Sequence, residues 1–277
     1  MKSLTYYLQE KLIIKKNKSS NYKYFPKSKD ELRDIILQRI KDEGNEVDLN
    51  DIDVSKITDM SALFKDTDFN GNISEWDVSN VTDMRSMFYG CESFNQDISN
   101  WDVSNVTNMS YMFLRCETFN QDISSWDVSN VTNMEYMFYF CNNFNQDISK
   151  WDVSNVTNMR FIFYGCKLFN QDISNWDVSN VTDMSGMFLT CTKFNKDISN
   201  WDVSNVENID WMFGNCKSFN QDISKWDVSN VTDMSGMFYF CEKFNQDISN
   251  WDVSNVTSAL HIFVSCSIKE KYKPKFK

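Results

Sequence analysis

Apolar and polar positions along most of this chain follow a pattern that repeats every 25 residues. Within one unit, Ile98, Trp101, Val103 and Val106 fall on the spacing L-x-x-L-x-L-x-x-L, whose central alternation predicts a short strand with Trp101 and Val103 pointing inward. Apolar residues then recur at the spacing of one helix face, at Met109, Met112, Phe113 and Cys116. Each unit is therefore predicted to hold one short strand and one short helix.

A tandem array of such units spans the chain. The phrase Trp-Asp-Val-Ser-Asn-Val recurs in every full unit, and its tryptophans are Trp76, Trp101, Trp126, Trp151, Trp176, Trp201, Trp226 and Trp251. A fixed period of this length is typical of solenoids, in which each unit is too small to bury its apolar face alone. The sequence predicts an α/β repeat solenoid of about nine coils, with the tryptophans facing inward and the aspartate after each one facing outward.

The ends of the array differ from its body. Ser28 and Glu31 form a capping box, Gly44 supplies a stop, and the apolar stripe between them is Leu32, Ile35, Ile36 and Ile40. We therefore divide the chain into a basic extension (1–27), a capping helix and link (28–48), the solenoid (49–266) and a basic tail (267–277). No second capping helix is visible, and an open last coil is a natural place for self-association.

Charge and hydropathy exclude several classes of function. The formal net charge is −11, and the acidic residues are concentrated in the repeats, so binding of nucleic acid through the repeats is not expected. No run of about 18 apolar residues exists, so no membrane span is expected. The first residues lack the apolar core of a secretory signal, which favours an intracellular or virion location over a cell surface.

Two features of the sequence bear on metal binding and catalysis: the units carry one cysteine each, and the chain has a single histidine, His261. A zinc site needs paired cysteines or nearby histidines, so we interpret the cysteines as small buried apolar residues, with sulfur–sulfur bonding between coils as the alternative. No nucleophile has a histidine partner and no glycine-rich phosphate loop is present. The protein is therefore expected to be no enzyme and to need no cofactor.

The outward aspartates are predicted to stack one per coil, and like charges so close together repel. Either Ca²⁺ ions bridge adjacent carboxylates or a basic partner lies along the row. Alternatively, each carboxylate accepts hydrogen bonds from hydroxyls of the Ser104 type, amides of the Asn105 type or turn backbone. A second row, from Asp97 to Asp247, is predicted to stabilise a turn. The candidate calcium ligands are Asp77, Asp102, Asp127, Asp152, Asp177, Asp202, Asp227 and Asp252.

Residues on the predicted outer helix face vary between units, and several are aromatic. They are a candidate surface for binding a protein, with relaxed drift on a solvated face as the alternative. The candidate binding residues are Tyr111, Tyr136, Phe161 and Trp211, and Phe140 and Phe240 lie at a neighbouring variable position.

The phrases I-S-x-W-D-V-S-N-V-T-x-M and M-F-x-x-C-x-x-F-N-Q-D, over residues 52–266, resemble the repeats of BspA-like leucine-rich repeat proteins, including mycoplasma-type surface lipoproteins. The resemblance implies a leucine-rich-repeat-like solenoid and non-catalytic adhesion or recognition at a cell surface. This chain departs from the surface members because it shows no signal and no lipid-attachment cysteine near its start.

The first residues also resemble the capsid-targeting tags of internal phage proteins, in which Leu8-Gln9-Glu10 corresponds to the cleavage site; the alternative is an amphipathic extension. Taken together, the sequence predicts a protein-binding or structural repeat module, associated with a phage virion or with host interaction. The alternatives are a BspA-like cell-surface adhesin and a rigid spacer stabilised by cations.

Overall fold

The computed structural model describes residues 21–276, and within them a single α-helix, α1 (Lys29–Glu43), precedes the repeats. The Ser28 hydroxyl accepts a hydrogen bond from the N–H of Glu31 at 3.2 Å, and Gly44, at φ 92°, donates to the carbonyl of Ile40. Leu32 and Ile36 are buried against the first coil. The predicted capping helix is confirmed, whereas the targeting-tag hypothesis for Leu8-Gln9-Glu10 lies outside the described residues.

The predicted α/β solenoid of strand–helix coils is wrong. Apart from α1, the described residues contain only a short 3-10 helix, Glu270–Tyr272, and no strand. Where a helix was predicted, the N–H of Met112 donates to the carbonyl of Met109, three residues earlier, and Tyr111 and Arg115 both lie at φ 61° in the left-handed region. A right-handed helix cannot include such residues, so this segment is a run of successive turns.

A hydrogen-bond ladder joins this run of turns to the next coil. Every second N–H points the same way, from Met109, Tyr111, Phe113 and Arg115 to the carbonyls of Asn133, Glu135, Met137 and Tyr139, at 2.7–3.1 Å. The α-helical prediction failed because these N–H groups bond to another coil rather than to a carbonyl four residues earlier. Isolated parallel bridges, one per step from Asp59 through Asn108 to Ser258, keep the coils in register.

The predicted strand is replaced by side-chain hydrogen bonds. The backbone N–H of Trp101 donates to Ile98 within its own coil, while its indole Nε1 donates to the carbonyl of Ile73 in the preceding coil at 3.2 Å. The Asn105 amide reaches the carbonyl of Ser79 in the same direction at 2.7 Å. Ser104 donates to the Asp102 carboxylate, a local turn that competes with extended pairing.

The inward positions predicted from the sequence are confirmed as one continuous core. The eight repeat tryptophans are only 3–5 % exposed. Rings stack from coil to coil, with centroids 5.6 Å apart between Phe88 and Phe113, and 6.5 Å between Trp76 and Trp101, whose planes differ by 3°. Aromatic stacking of this kind adds to the apolar area that each coil buries against its neighbours.

The cysteines form a column inside this core, and all eight are free thiols. The Cys116 Sγ donates to the carbonyl of Phe88 in the preceding coil at 3.0 Å, a contact repeated in the coils that follow. Burial raises the pKa of the Cys116 thiol well above its ordinary value, so the sulfur keeps the proton that it donates. The interpretation as small buried residues is confirmed from Cys91 to Cys241, whereas Cys266 in the last coil is half-buried.

Replacing one core tryptophan tests the inward assignment. Trp151→Ala is expected to lower the free energy of unfolding by about 3–5 kcal/mol, because a large cavity opens between two coils. Trp151→Phe keeps most of the apolar contact but loses the Nε1 bond to Ile123, so we expect a loss of about 1 kcal/mol. Urea unfolding measures both; an alanine variant as stable as the parent would contradict the buried position.

Left-handed positions give a second test. Thr190 is β-branched and lies at φ 62°, while Asn215 occupies the same place in the next coil at φ 57°. Asparagine tolerates this region better, so Thr190→Asn is expected to stabilise the fold by about 0.5–1 kcal/mol. At the equivalent Gly165, the variant Gly165→Thr should destabilise the fold, because the new Cβ would lie 2.7 Å from the Phe140 ring. Thermal unfolding compares the two, and equal shifts would contradict the backbone assignment.

Candidate binding surface

The aspartate row faces outward as predicted: it is half-buried at Asp77 and exposed from Asp102 to Asp252. The Asp102 Oδ1 accepts hydrogen bonds from the Ser104 N–H at 3.2 Å and from its hydroxyl at 2.6 Å. The serine alternative is thus observed at the other members of the row whose contacts are resolved, such as Asp127 and Asp152. Within residues 21–276, no cluster of three or more potential ligands is placed to hold a metal ion, and calcium binding stays a prediction.

The second row holds a turn in every coil. The Asp97 carboxylate accepts a hydrogen bond from the Ser99 N–H at 2.9 Å, and the same contact recurs at Asp122 and Asp147. Hydrogen bonds from Ser99 lower the pKa of Asp97, because they stabilise its charged form. The predicted turn role of this row is confirmed.

Three of the four candidate aromatic residues lie together on one surface. Tyr111, Tyr136 and Phe161 occupy the same left-handed position in successive coils, at φ 61°, 55° and 53°. The rings of Tyr111 and Tyr136 stack at 4.9 Å, and those of Tyr136 and Phe161 at 5.1 Å. All three are half-buried, so one side of this stack stays open to solvent.

Trp211 is separated from that stack by a glycine coil. A side chain at Gly186 would collide with the Phe161 ring, because its Cβ would lie 2.0 Å from Cε1. Gly236 stands in the same relation to Trp211, with a Cβ 2.5 Å from Cδ2. The rings of Phe161 and Trp211 therefore each lie over a glycine of the next coil. The glycine ends the stack, and the close contact explains why glycine occurs at these two variable positions.

A second column of rings, which the sequence analysis missed, runs beside the first. The Tyr139 ring stacks on that of Tyr164 at 4.5 Å and lies 5.3 Å from that of Tyr136. The sequence signal for this column is a tyrosine three residues after the position of Tyr136 and Phe161, which occurs in several coils. We name the combined surface the aromatic face; it consists of Tyr89, Tyr111, Tyr136, Tyr139, Phe140, Phe161, Tyr164, Trp211, Tyr239 and Phe240.

The prediction that these variable positions all lie on the outside needs one correction. Ser110 and Leu114 are buried, at 2 % and 7 % exposure, as is Ser185, because the turn run places them between coils rather than on an outer helix face. Arg115, by contrast, is exposed as expected.

Two open grooves cross the aromatic face. The first has a volume of about 570 Å³ and is lined by Tyr89, Tyr111, Leu114, Arg115, Glu117, Tyr136, Tyr139 and Phe140. The second has a volume of about 620 Å³ and is lined by Tyr164, Leu189, Thr190, Trp211, Asn215, Lys217, Tyr239 and Phe240. Their size and aromatic walls suit a few side chains of a binding partner.

Cations of the chain itself already lie over rings of this face. The Lys65 Nζ is 4.6 Å from the centroid of the Tyr89 ring, and the Arg160 guanidinium carbon is 5.2 Å from that of Phe161. Partial burial, followed by the charge of Glu135, raises the pKa of Tyr111, so its phenol stays neutral. The ring faces are therefore electron-rich surfaces that accept positive charge.

Asp210, beside Trp211, is the least satisfied carboxylate near this face. Its Oδ1 is buried and has no hydrogen-bond partner. Burial, followed by the charges of Asp233 and Asp183, raises its pKa above the ordinary value. The folded state thus favours the protonated form, and stability contributed by that proton is lost as pH rises through the raised pKa.

We expect Asp210→Asn to stabilise the protein at pH 7 by an amount on the order of 0.5–1 kcal/mol, since the site is half-exposed and screened. The gain should shrink at pH 4, where the parent carboxyl holds its proton. Asp127→Asn is the control of opposite sign: hydrogen bonds from Ser129 lower the pKa of Asp127, so this group stabilises the fold at neutral pH and loses that effect as pH falls. Urea unfolding at both pH values measures the pair; an Asp210→Asn gain independent of pH would contradict the assignment.

Comparison with known proteins agrees with the repeat architecture. Within the described residues, no helix combines the length and the apolar character needed to cross a membrane. A search of curated proteins gives no match. The family described as "Mycoplasma protein of unknown function, DUF285" matches four overlapping regions, residues 36–147, 101–195, 133–226 and 172–274. Because these matches together cover most of the chain, the protein belongs to this mycoplasma-type repeat family.

Proposed function

We propose that this repeat protein is a non-enzymatic protein-binding module whose aromatic face binds an extended, arginine-bearing segment of a partner. The observation that carries the proposal is the placement of Tyr111, Tyr136 and Phe161 at left-handed positions, stacked and open to solvent. The core is already filled without them, so their burial is not needed to hold the coils together.

The backbone cost of these positions supports a binding role. A residue with a Cβ in the left-handed region costs roughly 1–2 kcal/mol, and glycine serves at the same place in two other coils. The ladder needs this conformation in every coil, so the strain itself is structural; what points to a binding role is a large ring where glycine would cost less. Rigid aromatic side chains are also the commonest energetic centres of protein interfaces.

The chemistry of the partner follows from the rings. Lys65 and Arg160 show that cationic groups fit over this surface, and the repeats carry an excess of acidic residues that attracts a basic segment. Arginine suits such a site best because its planar guanidinium stacks on aromatic rings while its N–H groups stay free for hydrogen bonds.

Calorimetric titration with the capped peptide acetyl-(Gly-Arg)₄-amide tests the proposal, with acetyl-(Gly-Asp)₄-amide as the charge control. We expect binding of the arginine peptide only, weakened by roughly tenfold in Tyr136→Leu/Tyr139→Leu, since each lost cation–π contact is worth about 0.5–1 kcal/mol. Phe25→Leu, at an exposed aromatic side chain outside the grooves, is the matched control and should bind like the parent. Equal affinity for the two peptides, or an unaffected double variant, would refute the proposal.

Such a module fits each of the settings expected from the sequence: the inside of a phage particle, a host-interaction protein and a BspA-like adhesin at a cell surface. Mass spectrometry of native particles and cell fractions separates them, because only the first requires a cut after Glu10. The spacer alternative gains no support from the aspartate row, whose carboxylates already accept serine hydrogen bonds. Catalysis is not part of the proposal, since the sole histidine, His261, lines neither groove.

A further inference from the structure

The last coil ends the hydrogen-bond ladder with four N–H groups that donate to no described residue. In the preceding coil, the equivalent groups of Met234, Gly236, Phe238 and Phe240 all donate to the last coil at 2.8–3.0 Å. In the last coil, no residue of 21–276 accepts from this row. We name it the donor edge; it consists of the N–H groups of Ala259, His261, Phe263 and Ser265.

The donor edge keeps the ladder conformation although none of the described residues pairs with it. His261 and Ser265 lie at φ 60° and 55°, as at the equivalent positions of interior coils. The local turn bonds are also present, since Val264 donates to His261 and Cys266 to Phe263, both at 3.2 Å. An incoming chain would therefore meet an edge that is already ordered for binding, as an exposed sheet edge is for an added strand.

The two ends of the solenoid are not complementary in the folded protein. Helix α1 covers the first coil, and Arg33 donates to the carbonyls of Ala62 and, at 2.9 Å, Leu63. Leu63 holds the place in that coil that Met87, an acceptor in the ladder, holds in the next. A second copy thus offers the donor edge either its own N–H row, which cannot pair with donors, or an acceptor row lying under α1.

The surroundings of the donor edge favour an acidic and partly apolar occupant. Leu260 and Val264 are exposed, at 68 % and 41 %. The tail covers the neighbouring part of the last coil, where Ile248 donates to the carbonyl of Tyr272, and it brings the Lys273 Nζ to 5.5 Å from the Phe263 ring. Lys273 is paired with Glu270 at 2.6 Å, and further positive charge comes from the exposed Lys269, Lys271 and Lys275.

We propose that the donor edge binds an extended acidic segment of a partner protein, whose backbone carbonyls accept the four N–H groups. Its apolar side chains pack on Leu260 and Val264, and its carboxylates face the tail lysines. The ladder between interior coils is the pattern for this contact, because there the same row of N–H groups meets a row of backbone carbonyls. The site is separate from the aromatic face, so either can fail without the other.

Residue-resolved hydrogen exchange with the probe peptide acetyl-(Asp-Val)₅-amide tests this directly. In the free protein, the four donor-edge amides should exchange fast, while those of Met234, Gly236, Phe238 and Phe240 are protected. The peptide should slow exchange at the donor edge alone, and acetyl-(Lys-Val)₅-amide should not. Unchanged exchange at the donor edge, or equal effects of both peptides, would overturn the proposal.

A pair of matched variants isolates the apolar contact. Leu260→Ser/Val264→Ser should weaken binding of the acidic peptide by roughly tenfold or more, since two exposed apolar side chains lose their partners. Leu37→Ser/Leu168→Ser makes the same change at exposed apolar residues elsewhere and should leave the affinity unchanged. Sedimentation of the parent protein without peptide tests whether a second copy of the chain binds the donor edge. A dimer in which the donor-edge amides are protected from exchange would contradict the proposal.

Discussion

The structure depends on one hydrogen-bonding constraint: in each run of turns, alternate N–H groups all point toward the next coil. From Met109 to Arg115, the even spacing of these donors is possible because Tyr111 and Arg115 take left-handed φ values between right-handed turn residues. The carbonyls of the next coil then face back in the same register. The run of turns is therefore polar along the solenoid, with acceptors at its first coil and donors at its last, whereas the indole, Asn105-type and thiol bonds run in the opposite direction.

This polarity connects features that otherwise look unrelated. The acceptor end is closed by α1 through Arg33, whereas the donor end keeps its conformation although its N–H groups donate to none of residues 21–276. The left-handed positions also decide which residues vary between coils. They carry side chains as different as those of Ser86, Arg115 and Thr190, or none at all in glycine; where they carry large rings such as Phe161 and Trp211, these rings build the aromatic face.

The sequence was sufficient to predict which side chains are buried, but not the backbone that buries them. Met109, Met112, Phe113 and Cys116 point inward as their spacing indicates, because a run of turns places residues on the core side at nearly the same intervals as a helix. What distinguishes the two is φ at Tyr111, and no local signal marks it, since tyrosine rarely adopts that region. Gly186 and Gly236, at the same position, are the clearest clue in the printed sequence.

The candidate surface was predicted in part for a related reason. Tyr111, Tyr136 and Phe161 are recognisable as exposed aromatic variation. Tyr139 and Tyr164 join them through ring contacts between coils, which the spacing within one unit does not reveal. Likewise, the strand predicted around Trp101 is absent because Asp102 and Ser104 form a local turn, while the indole and Asn105 bond to the preceding coil. Such long-range side-chain bonds cannot be deduced from one repeat in isolation.

Scalar couplings across hydrogen bonds, measured by NMR on deuterated protein, test the central claim most directly. We predict a correlation between the amide nitrogen of Tyr136 and the carbonyl carbon of Arg160 in the next coil, with matching pairs for Phe161 with Ser185 and Trp211 with Ser235. Correlations from these amides to carbonyls four residues earlier in their own coil would indicate α-helices and would contradict the ladder.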